Sequence, residues 1–258
     1  MKNIIKLLAG ILVLASLGSL NAETGEEKGY NLSYQSEIFN NGFKGESTVM
    51  EMTLINAHGD RVVRKMTSKI KETEGDGDKS ITEFLWPADV KGTKMLTWSH
   101  KSKNDDQWLY LPALKRVKRI SSRSKTGSFM GSEFSYEDLG SQEVEKFKFK
   151  FLADEKVNAR DTWKIERIPQ DKKSGYSRQV VWLDKEYQSP VKIEYYDRKS
   201  ELLKTGEFSD YSKYGKWFRA STLKMENHQT KKISIINWSK RKLSVQFSDR
   251  DFHKKKLK

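Results

Sequence analysis

The feature that most constrains this fold is a period-two alternation of apolar and polar residues in short segments from about Ser47 onward. Met50, Met52 and Leu54, for example, are separated by single residues and are followed by a turn-forming stretch. Because successive side chains of a strand point to opposite faces, this pattern predicts strands with one buried and one solvated face. The connecting loops are short, which predicts an antiparallel meander in one domain over residues 23–258.

The same pattern continues to the end of the chain. Further strands are predicted at Ile81–Trp86, Lys94–Trp98, Gln107–Leu111, Glu145–Leu152, Thr162–Ile168, Arg178–Leu183, Val191–Tyr196, Glu201–Phe208, Trp217–Met225, Lys232–Trp238 and Leu243–Ser248. A sheet of about ten or more strands has to curl, so its concave face needs a cover. A short N-terminal helix ending near Asn40 is one candidate cover.

The second candidate cover is the irregular stretch 121–140, which we call the flap segment. It is rich in Ser and Gly but carries Phe129, Met130, Phe134, Tyr136 and Leu139. Apolar groups on such a backbone indicate either a mobile flap that folds onto apolar surface or an ordered loop packed on the core.

The N-terminus predicts export. Lys2 and Lys6 precede the apolar run Leu7–Leu17, and Ala22 offers a small residue at a cleavage point. This is the pattern of a secretory signal peptide over residues 1–22, with an uncleaved anchor as the competing interpretation. The chain has no cysteine, hence no lipid-attachment cysteine after the cut. We expect a mature protein without a lipid anchor in the periplasm.

Charge and cysteine content limit the function classes further. The formal net charge is +14, an excess that favours either simple solubility or attraction to an anionic membrane surface. An exported chain rarely meets nucleic acid, so no nucleic-acid partner is expected. The lack of cysteine excludes a thiol nucleophile and a thiolate metal site.

Motifs for catalysis or cofactor binding are absent from the sequence. The four histidines show neither HExxH spacing nor a zinc-like pair, and no phosphate-binding glycine loop or GxSxG elbow occurs. The acidic pairs Asp105-Asp106 and Glu137-Asp138 are typical of turns and ion pairs. We therefore expect no enzyme, no cofactor and no metal.

A basic run is the remaining charged motif. Lys115, Arg116, Lys118, Arg119 and Arg123 follow one another with no acid between residues 106 and 133. On a strand, Arg119 would lie on the same face as Val117, and a charge on an apolar face needs a partner. The alternatives are a lid or partner contact through these residues, and a solvated edge strand protected by charge.

Three segments carry a family resemblance: Lys91–Trp98 (KGTKMLTW), Trp108–Ile120 (WLYLPALKRVKRI) and Ser128–Leu139 (SFMGSEFSYEDL). They closely resemble the LolA-like family of outer-membrane lipoprotein-sorting proteins, in its longer branch linked to RND- or MMPL-type exporters. The resemblance implies a mainly β (α+β) fold, a half-open antiparallel β-barrel of about 11 strands. A few short helices and a loop would cover its concave face. In the sorting protein an arginine on the sheet holds the helical lid, and Arg119 is the candidate here.

The leading functional hypothesis is a non-enzymatic periplasmic carrier of a lipid or acylated, lipoprotein-like cargo. It would deliver this cargo between membranes or to and from an exporter. The alternative is an adaptor or sensor module that docks an RND- or MMPL-type transporter through the basic run. Broad apolar side chains suit acyl chains. The predicted cavity residues are Met50, Met52, Phe84, Trp98, Trp108, Tyr110, Phe129, Met130, Phe134 and Trp163.

Overall fold

The computed structural model describes residues 23–258, and the predicted signal peptide lies outside the described residues. One α-helix, α1 (Gly25–Asn40), comes first. The strands are β1 (Gly45–Ile55), β2 (Arg61–Lys71), β3 (Lys79–Trp86), β4 (Lys94–Trp98), β5 (Asp106–Leu111), β6 (Arg116–Ile120), β7 (Phe147–Val157), β8 (Arg160–Pro169), β9 (Tyr176–Asp184), β10 (Ser189–Asp197), β11 (Leu202–Ser209), β12 (Ser212–Tyr214), β13 (Trp217–Arg219), β14 (Thr222–Asn227) and β15 (Ile233–Leu243).

Thirteen of these strands form one sheet in the order β6-β5-β4-β3-β2-β1-β15-β14-β11-β10-β9-β8-β7, while β12 and β13 form a separate hairpin. Neighbouring strands are antiparallel, as the short turns predict. Within residues 23–258, β6 and β7 each pair with a single neighbour, so the sheet is open at both ends. None of the helices in this range is long and apolar enough to cross a bilayer.

The mainly β, antiparallel prediction is confirmed, but its details need correction. The sheet has 13 strands rather than about 11, and it is not closed into a barrel. Closure would require β6 and β7 to pair with each other. Instead, α1 packs against β7, and β6 carries the basic run on a free edge.

Two predicted strands also differ from the structure. The predicted strand Trp217–Met225 is divided into β13 and β14, because Ser221 donates its backbone N–H to Ser209 and Asp210 instead of continuing a ladder. The predicted strand Leu243–Ser248 is absent from the described structure, where β15 ends at Leu243. Ser244 has a φ of 60°, which breaks the extended backbone at this point.

Helix α1 begins with a reciprocal cap. Thr24 Oγ1 accepts from the N–H of Glu27 at 3.2 Å, and Glu27 Oε2 accepts from the N–H of Thr24 at 2.9 Å. The helix approaches β7 closely at Gly29, where an added Cβ would lie 2.6 Å from Phe151 N. A side chain at this position would therefore push α1 away from the sheet.

The sheet buries apolar side chains on both faces. On its concave face, Met52, Met66, Phe84, Ile165 and Met225 belong to one large cluster. On the opposite face of β4 and β5, Leu96 and Trp108 pack against the C-terminal Phe252 and Leu257. A third cluster on the opposite face of β9 contains Val180 and Trp182.

Candidate ligand cavity

A cavity of about 1040 Å³ lies between α1 and the concave face of strands β7 to β11, β14 and β15. This is at the upper end of the range of roughly 300–1,000 Å³ that is typical of small-molecule sites. Its sheet wall is apolar and includes Phe149, Ile165, Val181, Leu183, Ile193 and Met225. Such a wall can bind hydrocarbon without fixed polar contacts.

The rim of the cavity carries carboxylates. Glu72 accepts from the backbone N–H groups of Gly42 at 2.5 Å and Lys44 at 2.7 Å, which ties the loop after α1 to the end of β2. Burial and the nearby Glu143 carboxylate raise the pKa of Asp78 to about 7. Burial also raises the pKa of Glu143.

The C-terminal half of α1 is fastened at the rim. Glu37 Oε1 accepts from Lys101 Nζ at 2.7 Å, and Glu37 Oε2 accepts from the N–H of Val144 at 3.0 Å. The hydrogen bond to Glu37 raises the pKa of Lys101. Glu37, Glu143 and Glu145 form the kind of carboxylate group that can hold a cation. However, Lys101 Nζ already lies within 3.8 Å of all three.

The flap segment packs on the concave face. Phe129 and Phe134 are buried, and Phe129 lies 5.7 Å from Phe84, centroid to centroid. Arg64 on β2 donates from Nη1 to the carbonyl of Met130. The flap segment therefore contributes to the wall of the cavity, through Phe134 and Asp138.

A buried ion pair fixes the far end of the flap segment. Lys204 Nζ on β11 donates to Asp138 Oδ2 at 2.6 Å and to the carbonyl of Glu133 at 2.8 Å. The Tyr176 hydroxyl donates to Asp138 Oδ1 at 2.8 Å. Burial and the nearby Asp138 carboxylate raise the pKa of Tyr176 well above its usual range.

One arginine of the sheet lines the cavity. Arg167 on β8 lies on the same face as Trp163 and Ile165. Its Nε donates to Gln179 Oε1 at 2.6 Å, and its Nη2 donates to Gln142 Oε1 at 3.4 Å. Burial lowers the pKa of Arg167.

The structure divides the ten predicted cavity residues into three groups. Phe134 lines the cavity. The concave-face core beside it contains Met50, Met52, Phe84 and Phe129, with Met130 and Trp163 packed against it. Trp98, Trp108 and Tyr110 lie away from the cavity, in the cluster beneath the C-terminal segment. Strands β4 and β5 are apolar on both faces, so the alternation of apolar and polar residues could not predict which part of the chain covers each face.

The basic run is at the surface. Lys115 adopts a left-handed turn, with φ 47°, before β6. Arg116, Lys118, Arg119 and Arg123 are exposed. Arg119 lies opposite Trp108, on the face that Val117 shares, but its side chain is 69% exposed and pairs with Asp106 instead of holding the flap segment. Arg64, rather than Arg119, is the arginine that contacts the flap segment.

Sequence reasoning missed Arg64 and Arg167, although a signal existed for Arg167. Its spacing of two from Ile165 and four from Trp163 places a charge on a face otherwise predicted to be apolar. Burying a charge on such a face costs free energy unless the charge is paired and hydrogen-bonded, so its presence there marks a candidate functional position.

The fold and its cavity define a class: open antiparallel sheets that enclose an apolar pocket beneath a helix. A family model described only as an uncharacterized protein matches residues 76–258. A search of curated proteins found no relative of this sequence.

Solved structures show the family. A domain assigned to outer membrane lipoprotein sorting, from Vibrio parahaemolyticus, is 50% identical over 90% of this chain and 99% of its own, with a TM-score of 0.88. A DUF1329 family protein from Desulfovibrio piger is 31% identical over 91% of this chain and 100% of its own, with a TM-score of 0.86.

A LolA superfamily protein from Nitrosomonas europaea shares the fold. It is 17% identical over 91% of this chain and 100% of its own, with a TM-score of 0.71. The chain belongs to the LolA-like family of outer-membrane lipoprotein-sorting proteins.

Proposed function

We propose that this protein is a non-enzymatic periplasmic carrier that binds a lipid or the acyl chains of a lipoprotein in the cavity beneath α1. The observation that carries the proposal is the apolar concave wall facing a cavity of about 1040 Å³. The assignment of the similar Vibrio domain to lipoprotein sorting supports a cargo of this kind. Delivery between membranes, or to and from an RND- or MMPL-type exporter, is the role we assign to it.

Hydrocarbon burial supplies the binding free energy in this proposal. Each buried methylene contributes about 0.8 kcal/mol, so an acyl chain gains several kcal/mol from contact with the wall. Val181 and Ile193 lie on that wall and present no polar group that would need a partner. The site would therefore select for apolar bulk rather than for one chemical structure.

A pair of valine substitutions tests the cavity. Val181 faces the cavity, whereas Val62 on β2 is 50% exposed. In delipidated protein, Val181→Trp should reduce the affinity for a fluorescent fatty acid at least about tenfold, since indole fills the space. Val62→Trp should leave the affinity unchanged. Failure of the parent protein to bind, or equal binding by both variants, would contradict the proposal.

A second candidate function rests on the exposed basic run. Lys115, Arg116, Lys118, Arg119 and Arg123 are open to solvent and could dock an acidic surface of a transporter or an anionic membrane. Reversing Arg116 and Lys118 to Glu should abolish capture of such a partner while fatty-acid binding persists. Capture that survives the reversal would rule this docking face out.

A further inference from the structure

Arg167 is an arginine of the cavity lining. Among the described residues it forms no ion pair with a carboxylate; its partners are the side-chain oxygens of Gln179 and Gln142. The guanidinium also lies 4.7 Å from the centroid of the Phe147 ring. Neutral amides and a ring face satisfy some of its donors but supply no negative charge.

Most of the other cations near the cavity have carboxylate partners. Lys204 pairs with Asp138 at 2.6 Å, and Lys101 pairs with Glu37 at 2.7 Å. At the rim, Arg219 Nε lies 3.6 Å from Glu46 Oε2. Lys71 pairs with Asp249 at 2.8 Å, and Lys44 is exposed. Apart from exposed Lys44, Arg167 is thus the lining cation within residues 23–258 that forms no ion pair with a carboxylate.

The position of Arg167 makes this arrangement costly. Its side chain is half-buried, and a cation that is partly removed from water gains from an opposite charge or from further hydrogen bonds; the described protein supplies only neutral acceptors here. An arginine cannot escape the cost by losing its proton. Within residues 23–258, no hydrogen bond engages its Nη1 atom.

We propose that Arg167 binds the anionic head of the cargo, so that the ligand is an acyl chain ending in a carboxylate or phosphate group. This inference rests on the proposed function, because it names the ligand class of the same cavity. A planar guanidinium matches both head groups through paired N–H donors. The chain would then run along the wall formed by Ile165, Val181 and Ile193.

Three probes with sixteen carbon atoms in the chain distinguish the contribution of the head group to binding from that of the hydrocarbon chain: palmitate, hexadecyl phosphate and hexadecanol. Delipidated protein should bind the two anions about tenfold or more tightly than the alcohol, since a charged hydrogen bond contributes roughly 1.5–3 kcal/mol. Stronger binding of palmitate would indicate a fatty-acid head, and stronger binding of hexadecyl phosphate a phospholipid-like head. Either order supports the proposal.

Substitutions of Arg167 test whether this residue binds the head group. Arg167→Gln should remove the preference for anions and leave hexadecanol binding unchanged, and Arg167→Lys should restore part of the preference. Arg178→Gln is the matched control, because Arg178 lies on neighbouring β9 and pairs with Glu166 on the other face. Circular dichroism of each variant verifies folding.

Two outcomes separate the two proposals. If the parent protein binds all three probes equally, or if Arg167→Gln keeps the preference for anions, the head-group site is wrong and the carrier function stands. If the parent protein binds none of the probes, the carrier function itself fails.

Discussion

At the scale of single residues, two aspartates at the rim of the cavity have opposite effects on stability. Burial and the nearby Glu143 carboxylate raise the pKa of Asp78 to about 7. Although burial raises the pKa of Asp76, hydrogen bonds from His100 and the N–H of Lys101 outweigh it and lower this pKa to about 2. Asp78 therefore opposes folding when it is charged, whereas Asp76 favours it.

The first prediction concerns Asp78→Asn. The folded protein holds the Asp78 proton up to pH about 7, while the unfolded chain releases it near 3.8. Stability falls as pH rises between these values and stays constant above 7. Asp78→Asn should raise the free energy of unfolding by about 1–2 kcal/mol at pH 8, and by less at pH 5, where folded Asp78 still holds its proton. The effect is smaller than the full pKa shift implies, because the cavity admits water that screens the charge.

Urea unfolding at both pH values measures this effect, with Asp76→Asn as the control of opposite sign. That control should lower stability at pH 7, because the charge of Asp76 is stabilised in the folded state. An Asp78→Asn variant that is less stable than the parent at pH 8 would show that the buried charge is not a cost.

The second prediction concerns the buried pair of Lys204 and Asp138, which anchors the flap segment. Their side chains are 4% and 7% exposed. Lys204→Ala should lower the free energy of unfolding by about 3 kcal/mol, because it leaves Asp138 buried without its counter-charge. Adding Asp138→Asn should recover part of the loss, which a double-mutant cycle measures.

An exposed pair serves as the comparison. Lys156 and Asp161 are 3.4 Å apart, with side chains 70% and 66% exposed. Lys156→Ala should change the free energy of unfolding by about 0.5 kcal/mol or less, because solvent screens the pair. If Lys204→Ala costs no more than Lys156→Ala, the anchoring role of Lys204 is refuted.

At the scale of elements, α1 covers the cavity and is held more by polar contacts than by apolar burial. Its underside meets β7 at Gly29, and its C-terminal half is fastened through Glu37 to Lys101 and Val144. Gly29 is the one residue of the helix that is fully buried, and Tyr30, Tyr34 and Ile38 remain 42%, 41% and 52% exposed, so little apolar burial holds α1 on the sheet. Local opening of such an element needs less free energy than global unfolding.

The third prediction follows from this packing. Gly29→Val should displace α1, because a Cβ there would lie 2.6 Å from Phe151 N and 2.8 Å from the carbonyl carbon of Lys150. Hydrogen exchange over residues 25–40 should become faster while the sheet stays protected. Gly25→Ala is the matched control, since its nearest neighbour would lie at 3.4 Å. Unchanged exchange in Gly29→Val would mean that α1 is not packed as described.

At the scale of the whole molecule, an open sheet has two free edges that could pair with another copy. Helix α1 packs against β7, whereas β6 carries exposed Arg116 and Lys118. Covering one edge and charging the other are two ways in which proteins suppress edge-to-edge association. The basic run therefore protects the free edge of β6 from association, whether or not it also docks a partner.

The fourth prediction tests whether charge on β6 prevents association. The double variant Arg116→Val and Lys118→Val should form larger species as protein concentration rises, which light scattering after gel filtration detects. The pair Arg61→Val and Lys65→Val on central β2 removes the same charges from exposed positions that are not on an edge. This control should behave as the parent protein does. Equal association of both variants would mean that the lower net charge, rather than the loss of charge at the sheet edge, causes association.

The amino-acid sequence alone determined where most strands lie, because alternation and turn chemistry are local. It predicted Lys94–Trp98 with the observed bounds of β4, and β5 to within one residue. The phase of β8 also predicts that Trp163 and Ile165 share a face, and the spacing of two extends this face to Arg167, which sequence reasoning overlooked. Such properties depend on neighbours within a few residues.

Only the tertiary structure decided which surface covers each face of the sheet. Trp98 donates from Nε1 to the carbonyl of Phe252 at 2.8 Å, across 154 residues of sequence. Arg64 reaches Met130 across 66 residues. Alternation cannot encode such pairings, because a strand that is apolar on both faces is compatible with either cover. The side of the sheet on which a cavity remains depends on long-range contacts of this kind, and so do the partners of Arg167, which reaches Gln142 across 25 residues.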